Sequence, residues 1–328
     1  MRPSFLSKLV NGPLFDPVVH VKILNERTSL LFDCGWFQGL ANREVLRLHA
    51  LFISHMHMDH FIGFDRILRV ILHREHPIHV YGPEGSTEKI ILKLQAYSWN
   101  LTQNYPLDVI IHEVGPTAVI TTHASARSGF QVSSMHNRER SSHTIARQGR
   151  FHVDAVVLDH NIPTLGFVLR EPFHIHILGD VLREKGYRTG TWIGLLKTCI
   201  LEDRLEEMIP VRMSQGETLC KARTLMHEIV RTSRGQKLVY ITDIRFSQTN
   251  IDRIKEIALD PDILFVEAYY LHELRERAYE KGHLTAQQAG HLGKELGAKK
   301  LVPMHVSPRY HHRMRDILAE ISHAMEKD

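Results

Sequence analysis

The sequence predicts a layered α/β protein with mixed β-sheets. Short runs of β-forming residues, among them 18–24, 29–33 and 78–83, are separated by segments such as 61–74 and 86–98. In the segment 61–74 the apolar residues recur with the period of an amphipathic helix. This order of strands and helices favours helices packed on sheets over a helical bundle or an all-β barrel.

Length and composition are those of an ordinary globular protein. The chain has 328 residues, of which 43% are hydrophobic and 24% charged, which is enough apolar material for a sizeable core. We expect a single domain over residues 1–328, with a polar excursion at about 121–150 and a helical segment at about 182–234. The formal net charge of +4 neither requires nor excludes a polyanionic partner, so any nucleic-acid surface has to be local.

The cysteines and the amino terminus predict a cytoplasmic protein. Cys34, Cys199 and Cys220 are odd in number and lie far apart, with no C-x-x-C pair, which argues against a disulfide framework and a thiolate metal site. The amino terminus lacks an apolar segment followed by a small-residue cleavage site, and no apolar run approaches the roughly 18 residues that a membrane span needs. We therefore expect neither secretion nor membrane insertion.

The most informative stretch is the H-x-H-x-D-H pattern at residues 55–60, which directly follows an apolar run and so belongs to a loop at a strand end. His55 and His57 project from one side of an extended segment, whereas Asp59 and His60 turn towards a second point. The loop can serve one metal ion or, as we expect, two. Imidazole and carboxylate ligands without thiolate favour Zn²⁺, with Mn²⁺ or Fe²⁺ as alternatives. Because the chain contains 24 histidines, a structural histidine cluster is the competing interpretation.

Four later strands also end in ligand-type residues. These residues are His160, Asp243, Glu267 and His305. A carboxylate at the end of a strand, such as Asp243, has the placement needed for an oxygen bridge between two metal ions. His174 and His176 imitate the H-x-H pattern, but both alternate with isoleucines, which indicates one polar face of a β-strand instead of a metal site.

Two groups of arginines are candidates for phosphate binding. They are Arg66, Arg69 and Arg74 in the helix after the metal loop, and Arg127, Arg138, Arg140 and Arg147 in the serine-rich excursion. The competing interpretation is a solvated helix face for the first group and a mobile surface insertion for the second.

These patterns resemble those of the metallo-β-lactamase superfamily, and in particular its ribonuclease Z branch. The resemblance rests on the 55–60 loop, on His160 before a Pro-containing turn, and on segments 267–270, 282–289 and 305–310 in that order. It implies a four-layer αββα sandwich with two mixed sheets between helical layers. It also implies a metal-dependent phosphodiester hydrolase, a ribonuclease Z-like endonuclease acting on precursor tRNA 3′ ends, and a homodimer.

The resemblance further implies a role for each ligand-type residue. Two Zn²⁺ ions would share seven ligands, with Asp243 as the bridge: His55, His57 and His160 on one ion, and Asp59, His60 and His305 on the other. Asp33, at the end of the second strand, would support the metal loop without being a ligand.

Phosphodiester hydrolysis also needs proton transfer at both ends of the reaction. Asp59, at the edge of the metal site, can accept the proton of the nucleophile. His283 can donate a proton to the departing ribose oxygen while Glu267 orients its imidazole. Without the resemblance, His283 would be interpreted as a cation at a helix end.

Departures from the family pattern leave the substrate open. Residues 9–12 and 36–39 differ from the Gly-Thr-Gly turn and the Glu-Gly-Thr-Gln run of the family, and the Gly/Pro-rich arm that grips tRNA is not evident, with 186–192 as its nearest counterpart. The alternative function is therefore a metallo-β-lactamase-fold phosphodiesterase acting on a small substrate such as a cyclic nucleotide. An inert binding protein is a third interpretation, against which the retention of every ligand type argues.

Overall fold

The computed structural model describes residues 4–24, 26–214 and 216–326. The strands are β1 Phe5–Leu9, β2 Val19–Ile23, β3 Ser29–Phe32, β4 Leu48–Phe52, β5 Ile78–Pro83, β6 Asp108–Val114, β7 Ala118–Ser125, β8 Val132–Glu139, β9 Thr144–Gln148, β10 Phe151–Asp159, β11 Pro163–Arg170, β12 Phe173–Ile177, β13 Met208–Met213, β14 Gly216–Lys221, β15 Val230–Arg234, β16 Lys237–Ile241, β17 Ile263–Glu267 and β18 Leu301–Met304. The helices are α1 Asn42–Val45, α2 Met58–Phe61, α3 Phe64–Ile71, α4 Ser86–Gln95, α5 Gly179–Glu184, α6 Trp192–Leu201, α7 Ala222–Ile229, α8 Gln248–Ala258, α9 Arg275–Lys281, α10 Ala286–Glu295 and α11 Met314–Glu326.

Two large mixed sheets form the centre of the fold. Strands β1 to β8 lie side by side in chain order, with parallel pairing from β3 to β6 and antiparallel pairing at both ends. The second sheet has the order β18-β17-β16-β11-β10-β9, and its strands β16, β17 and β18 are parallel. The rings of Phe32 and Phe52 from the first sheet contact Phe167 from the second, with centroids 5.8 and 5.6 Å apart. The sheets therefore pack face to face.

Helices cover the outer face of each sheet. In α3 the buried residues are Phe64, Ile67, Leu68 and Ile71, which share one core cluster with residues of β4, β5 and β6. Helices α8, α10 and α11 likewise bury apolar side chains in one core cluster with residues of β16 and β17. This arrangement confirms the predicted four-layer αββα sandwich. The predicted helix over 61–74 is divided in two, because α2 ends at Phe61 and α3 begins at Phe64.

The polar excursion at about 121–150 consists largely of strands. It contains the end of β7, the edge strand β8 and strand β9. Nearly every side chain of β8 is exposed, so the strand lacks the alternation of apolar and polar residues by which strands are predicted from sequence. Backbone pairing of β8 with β7, from Ala118 opposite Glu139 to Ala124 opposite Val132, defines the strand instead.

The chain comprises two compact units, the second formed by residues 146–152 and 170–236. This second unit has a core of its own, in which Ile175, Trp192, Leu196 and Leu225 are buried. The segment at about 182–234 is not purely helical, since α6 and α7 are accompanied by the hairpin of β13 and β14 and by β15. That residues 1–328 form a single domain stays a prediction. Within the described ranges, none of the helices has both the length and the apolar character for crossing a bilayer.

Candidate metal centre

The ligand-type residues of the first unit meet at one edge of the sandwich. The parallel strands β16, β17 and β18 end at about the same level of the sheet, with Ile241 opposite Val266 and Glu267 opposite Met304. Their carboxyl ends therefore present Asp243, Glu267 and His305 side by side.

The carboxylate of Asp243 lies at the middle of the cluster. Its Oδ2 is 3.5 Å from Nε2 of His55, 3.4 Å from Nε2 of His60 and 3.5 Å from Nε2 of His160. One set of donor atoms, from His55, His57, His160 and Asp243, lies within 4.8 Å of one another, and so does a second set from Asp59, His60 and His305. The structure thus brings all seven predicted ligands together, with Asp243 between the two sets.

The imidazoles of His60 and His160 are each held at Nδ1, which leaves Nε2 directed at the centre. Nδ1 of His60 lies 2.7 Å from Oδ2 of Asp33, and Nδ1 of His160 lies 2.6 Å from the carbonyl oxygen of Gly282. Nε2 of His55 and Nε2 of His60 are buried and, among the described residues, have no hydrogen-bond partner. A buried polar atom without a partner costs about 1–3 kcal/mol. Lone pairs on these atoms, together with carboxylate oxygens, fit Zn²⁺, Mn²⁺ or Fe²⁺.

Electrostatics favour the metal-binding form of His55 and of the carboxylates of Asp243 and Asp59. Against the effect of burial, neighbouring carboxylates, Asp243 foremost, raise the pKa of His60 to about 10 and that of His305 well above its usual value, so that a metal ion would have to displace a proton from these two rings. Burial and the neighbouring His60 lower the pKa of His55 to about 2, so this imidazole is neutral. Burial opposes ionisation of Asp243, but His305 and His60 hold its pKa well below the usual value. In Asp59, burial is likewise outweighed by the hydrogen bond with His305, which lowers the carboxyl pKa. Both carboxylates are therefore charged.

Asp33 supports the metal loop through a network that includes two residues without a sequence signal. Its carboxylate accepts hydrogen bonds from the Ser54 amide at 2.6 Å, the Ser54 hydroxyl at 2.7 Å and the Tyr240 hydroxyl at 2.6 Å, besides the contact with His60. Ser54 precedes the first ligand directly, and Tyr240 lies on β16 three residues before Asp243. A serine and a strand tyrosine are too common for their residue type alone to reveal this role.

The backbone at the centre is strained. Asp33, Asp243 and His305 have φ values of +52°, +49° and +52°, in the left-handed region, where a non-glycine residue of a functional site costs on the order of 1–3 kcal/mol. Gly282 has φ +72°, and a Cβ there would lie 2.8 Å from Nδ1 of His160. Only glycine therefore fits the turn that holds His160 in place.

His283 and Glu267 form a separate pair beside the ligands. Nδ1 of His283 lies 2.9 Å from Oε2 of Glu267, whose Oε1 accepts the amide of Ile244 at 2.9 Å. The ring of Tyr269 stacks on His283 at 4.2 Å, and the His283 ring lies 5.1 Å from that of His160. Although burial acts in the opposite direction, the Glu267 carboxylate raises the pKa of His283. The pair therefore favours the protonated form of an imidazole at the edge of the centre.

Three of the seven candidate arginines are engaged with the backbone. Arg66 donates to the carbonyls of Phe37 and Leu40, and Arg74 donates to those of Leu46, Leu48, His76 and Pro77. Arg140 donates to the carbonyls of Gly115, Ser142, His143 and Ala155. These contacts hold the three guanidinium groups against the backbone, and phosphate binding by these arginines stays a prediction.

The other candidate arginines and the second H-x-H pattern lie elsewhere. Arg69, Arg127 and Arg138 are exposed on the first unit, and Arg147 is exposed on the second. His174 and His176 belong to strand β12, as predicted, and no described metal cluster contains them.

Comparison with known proteins identifies the family. A model of the metallo-β-lactamase superfamily matches residues 18–138. Ribonuclease Z of Deinococcus radiodurans is 31% identical over 287 residues, which cover 87% of this chain and 84% of that protein. The chain belongs to the ribonuclease Z family. Family members from Myxococcus xanthus and Bacillus cereus are 28% and 26% identical, over 86% and 89% of this chain and 78% and 83% of those proteins.

Solved structures agree on the fold of this ribonuclease Z family member. The short form of human tRNase Z has a TM-score of 0.54 at 19% identity, with 93% of each chain covered. A metallo-β-lactamase-fold protein from Bacillus subtilis has a TM-score of 0.57 at 13% identity, with 99% of this chain and 94% of that chain covered. At these identities the likeness concerns the fold alone.

Proposed function

We propose that the chain is a metal-dependent endoribonuclease that cleaves precursor tRNA at the 3′ end. The observation that carries the proposal is the position of His283, held 2.9 Å from Glu267 and beside the imidazole of His160. Cleavage of a phosphodiester must protonate an alkoxide leaving group, and this pair is suited to that task. The names of the curated relatives, all ribonuclease Z, support the substrate class.

We infer that two divalent ions, most simply Zn²⁺, bind the centre. His55, His57 and His160 would hold one and Asp59, His60 and His305 the other, with Asp243 shared. When bound, such a pair lowers the pKa of an attacking water and neutralises the charge that builds on the phosphoryl oxygens.

The two proton transfers of the reaction are assigned to Asp59 and His283. Asp59 is charged and its side chain is 42% exposed, so it can accept the proton of the attacking water. In its protonated form His283 donates from Nε2 to the departing oxygen, while the Glu267 contact keeps the other proton on Nδ1 and fixes the ring plane.

We place the enzyme in the cytoplasm as a homodimer. Cys34, Cys199 and Cys220, all among the described residues, form no disulfide, which agrees with a reducing compartment. The homodimer rests on the family resemblance and is tested by sedimentation of the purified protein.

Cleavage of several precursor tRNAs, beside a small chromogenic phosphodiester, tests the proposal. We expect a single cut near the 3′ end of the tRNA body that a chelator abolishes. Hydrolysis of the diester without any tRNA cleavage at low salt would instead support the small-substrate phosphodiesterase, with a cyclic nucleotide as the next compound to assay.

A further inference from the structure

Three large apolar side chains are exposed beside the metal centre. Phe15, Trp36 and Met58 expose 66%, 56% and 75% of their surface. We call these three residues the apolar rim. Single exposed apolar residues are ordinary on protein surfaces, whereas a group of them next to a polar site indicates a binding surface.

The chain segments that carry Phe15 and Trp36 contact the segments that carry the ligands. Pro13 accepts a hydrogen bond from the amide of Val306, the residue after His305, at 2.8 Å. Oδ2 of Asp16 accepts the amide of Trp36 at 2.8 Å. A Cβ on Gly35 would lie 2.1 Å from the carbonyl oxygen of Asp59.

The last contact limits how far Trp36 can be from the centre. Neighbouring Cα atoms are about 3.8 Å apart, so the Cα of Trp36 lies within roughly 8 Å of the Asp59 carbonyl. Phe15 directly precedes Asp16, whose carboxylate accepts the Trp36 amide, so the backbone of Phe15 lies near that of Trp36. Met58 lies between two ligands, His57 and Asp59.

Met58 also lies on the open side of the centre. His55, His60, His160 and Asp243 are buried, whereas His57 is exposed and the side chain of Asp59 is 42% exposed. A phosphodiester reaching the ligands must therefore pass the loop that carries His57, Met58 and Asp59.

We propose that the apolar rim binds a nucleobase next to the scissile phosphate by stacking on Trp36, with Phe15 and Met58 as its flanks. The inference rests on the proposed function, because cleavage of precursor tRNA brings a nucleobase next to the scissile phosphate. Stacking of a base on an aromatic side chain is tolerant of sequence and contributes the equivalent of roughly 5- to 150-fold in affinity.

Kinetics with an abasic substrate test the stacking contact. We expect Trp36→Ala to raise KM for precursor tRNA roughly 5- to 150-fold with kcat nearly unchanged, and Trp36→Phe to restore most of the loss. Removing the base that stacks on Trp36 from the substrate should raise KM for the wild-type enzyme. The same removal should leave the KM of Trp36→Ala unchanged, because the substrate change and the substitution remove the same contact. Leu101→Ala, at a residue 77% exposed and outside the rim, is the matched control.

Fluorescence gives a readout that does not depend on activity. Trp99 and Trp192 donate their indole N–H groups to the carbonyls of Leu94 and Arg188, and Trp192 is buried, so Trp36 is the exposed tryptophan of the three. In His283→Ala protein, a single-stranded oligonucleotide should quench the emission, an abasic one should not, and the added Trp36→Phe change should remove the quenching.

Each failure has a distinct meaning. If the wild type cleaves precursor tRNA and Trp36→Ala keeps its KM and its response to the abasic site, the stacking inference is overturned while the proposed function stands. If Trp36→Ala instead shifts the sedimentation of the protein to a smaller species, the rim is a contact between copies of this chain and the inference is again overturned. If no tRNA is cleaved, the proposed function fails, and the quenching comparison alone decides whether a base binds.

Discussion

Nδ1 of His60 lies 2.7 Å from Oδ2 of Asp33, and this contact decides which nitrogen of the ring faces the metal centre. A proton on Nδ1 leaves the lone pair on Nε2, which is buried and 3.4 Å from Asp243. The carboxylate also makes the ring more basic, which strengthens it as a ligand. We therefore expect Asp33 to act on a bound metal through His60.

Replacement of Asp33 tests this relationship. We expect Asp33→Ala to lower metal affinity by about 10- to 100-fold, because His60 loses the group that orients it. Competition with a chelator measures the change. Tyr240→Phe removes one of the other hydrogen bonds to the same carboxylate and should have a much smaller effect, so equal losses in the two variants would contradict an orienting role.

Asp243 should control the metal content of the whole site. Its Oδ2 lies 3.4–3.5 Å from three imidazole nitrogens, so it faces both groups of ligands. We expect close to two transition-metal ions per wild-type chain by elemental analysis, and a clear loss in Asp243→Ala. Active protein that contains no metal would refute the metal centre, and an unchanged content in the variant would refute the bridge.

His283 should affect chemistry without affecting metal binding. We expect His283→Ala to keep its metal content and to hydrolyse phosphodiesters roughly 100- to 10,000-fold more slowly, as is typical for loss of a general acid. The loss should shrink for a nitrophenyl diester, whose leaving group needs little protonation. Equal losses on nitrophenyl and alkyl diesters would assign His283 to structure instead.

The pH profile should depend on Glu267. Its carboxylate raises the pKa of His283 against the effect of burial, so the acid form persists to higher pH than for an ordinary histidine of pKa about 6.5. Activity that needs this proton is full at low pH and falls as pH rises through the raised pKa. Glu267→Gln removes the negative charge and should move the alkaline limb of the kcat profile to lower pH. If that limb does not move, its pKa belongs to a group other than His283.

The metal loop could be predicted from sequence because ligand type and spacing are local. His55, His57, Asp59 and His60 lie within six residues, and one strand end orients them all. The layered α/β class likewise follows from strands and helices with ordinary periodicity, whereas the four-layer sandwich was implied by the family resemblance. Asp243, Glu267 and His305 were recognisable because each ends an apolar strand.

Features that depend on distant contacts could not be predicted. Tyr240 reaches Asp33 across 207 positions of sequence, and nothing near Tyr240 indicates that partner. Strand β8 is exposed on nearly every residue, and β14 is similarly exposed, so both strands lack the pattern that reveals strands. Arg140 looked like a surface cation, whereas its donors contact backbone carbonyls on the strand β10 and in two loops.

The last prediction concerns the exposed arginines and the substrate. Arg127 and Arg138 stand on the β7–β8 part of the first unit, exposed to solvent. Each phosphate that they neutralise should add roughly 0.7–0.9 to the slope of log affinity against log salt concentration.

We expect precursor tRNA cleavage at subsaturating substrate to fall steeply from low to physiological salt. The double variant with Arg127→Gln and Arg138→Gln should reduce the slope by about 1.4–1.8. Arg315→Gln, a charge change at an exposed residue of α11 that is not among the candidates, is the control. A slope that is the same in the double variant and in the wild type would show that these two arginines are only solvated surface. In that case the affinity for RNA must come from other groups.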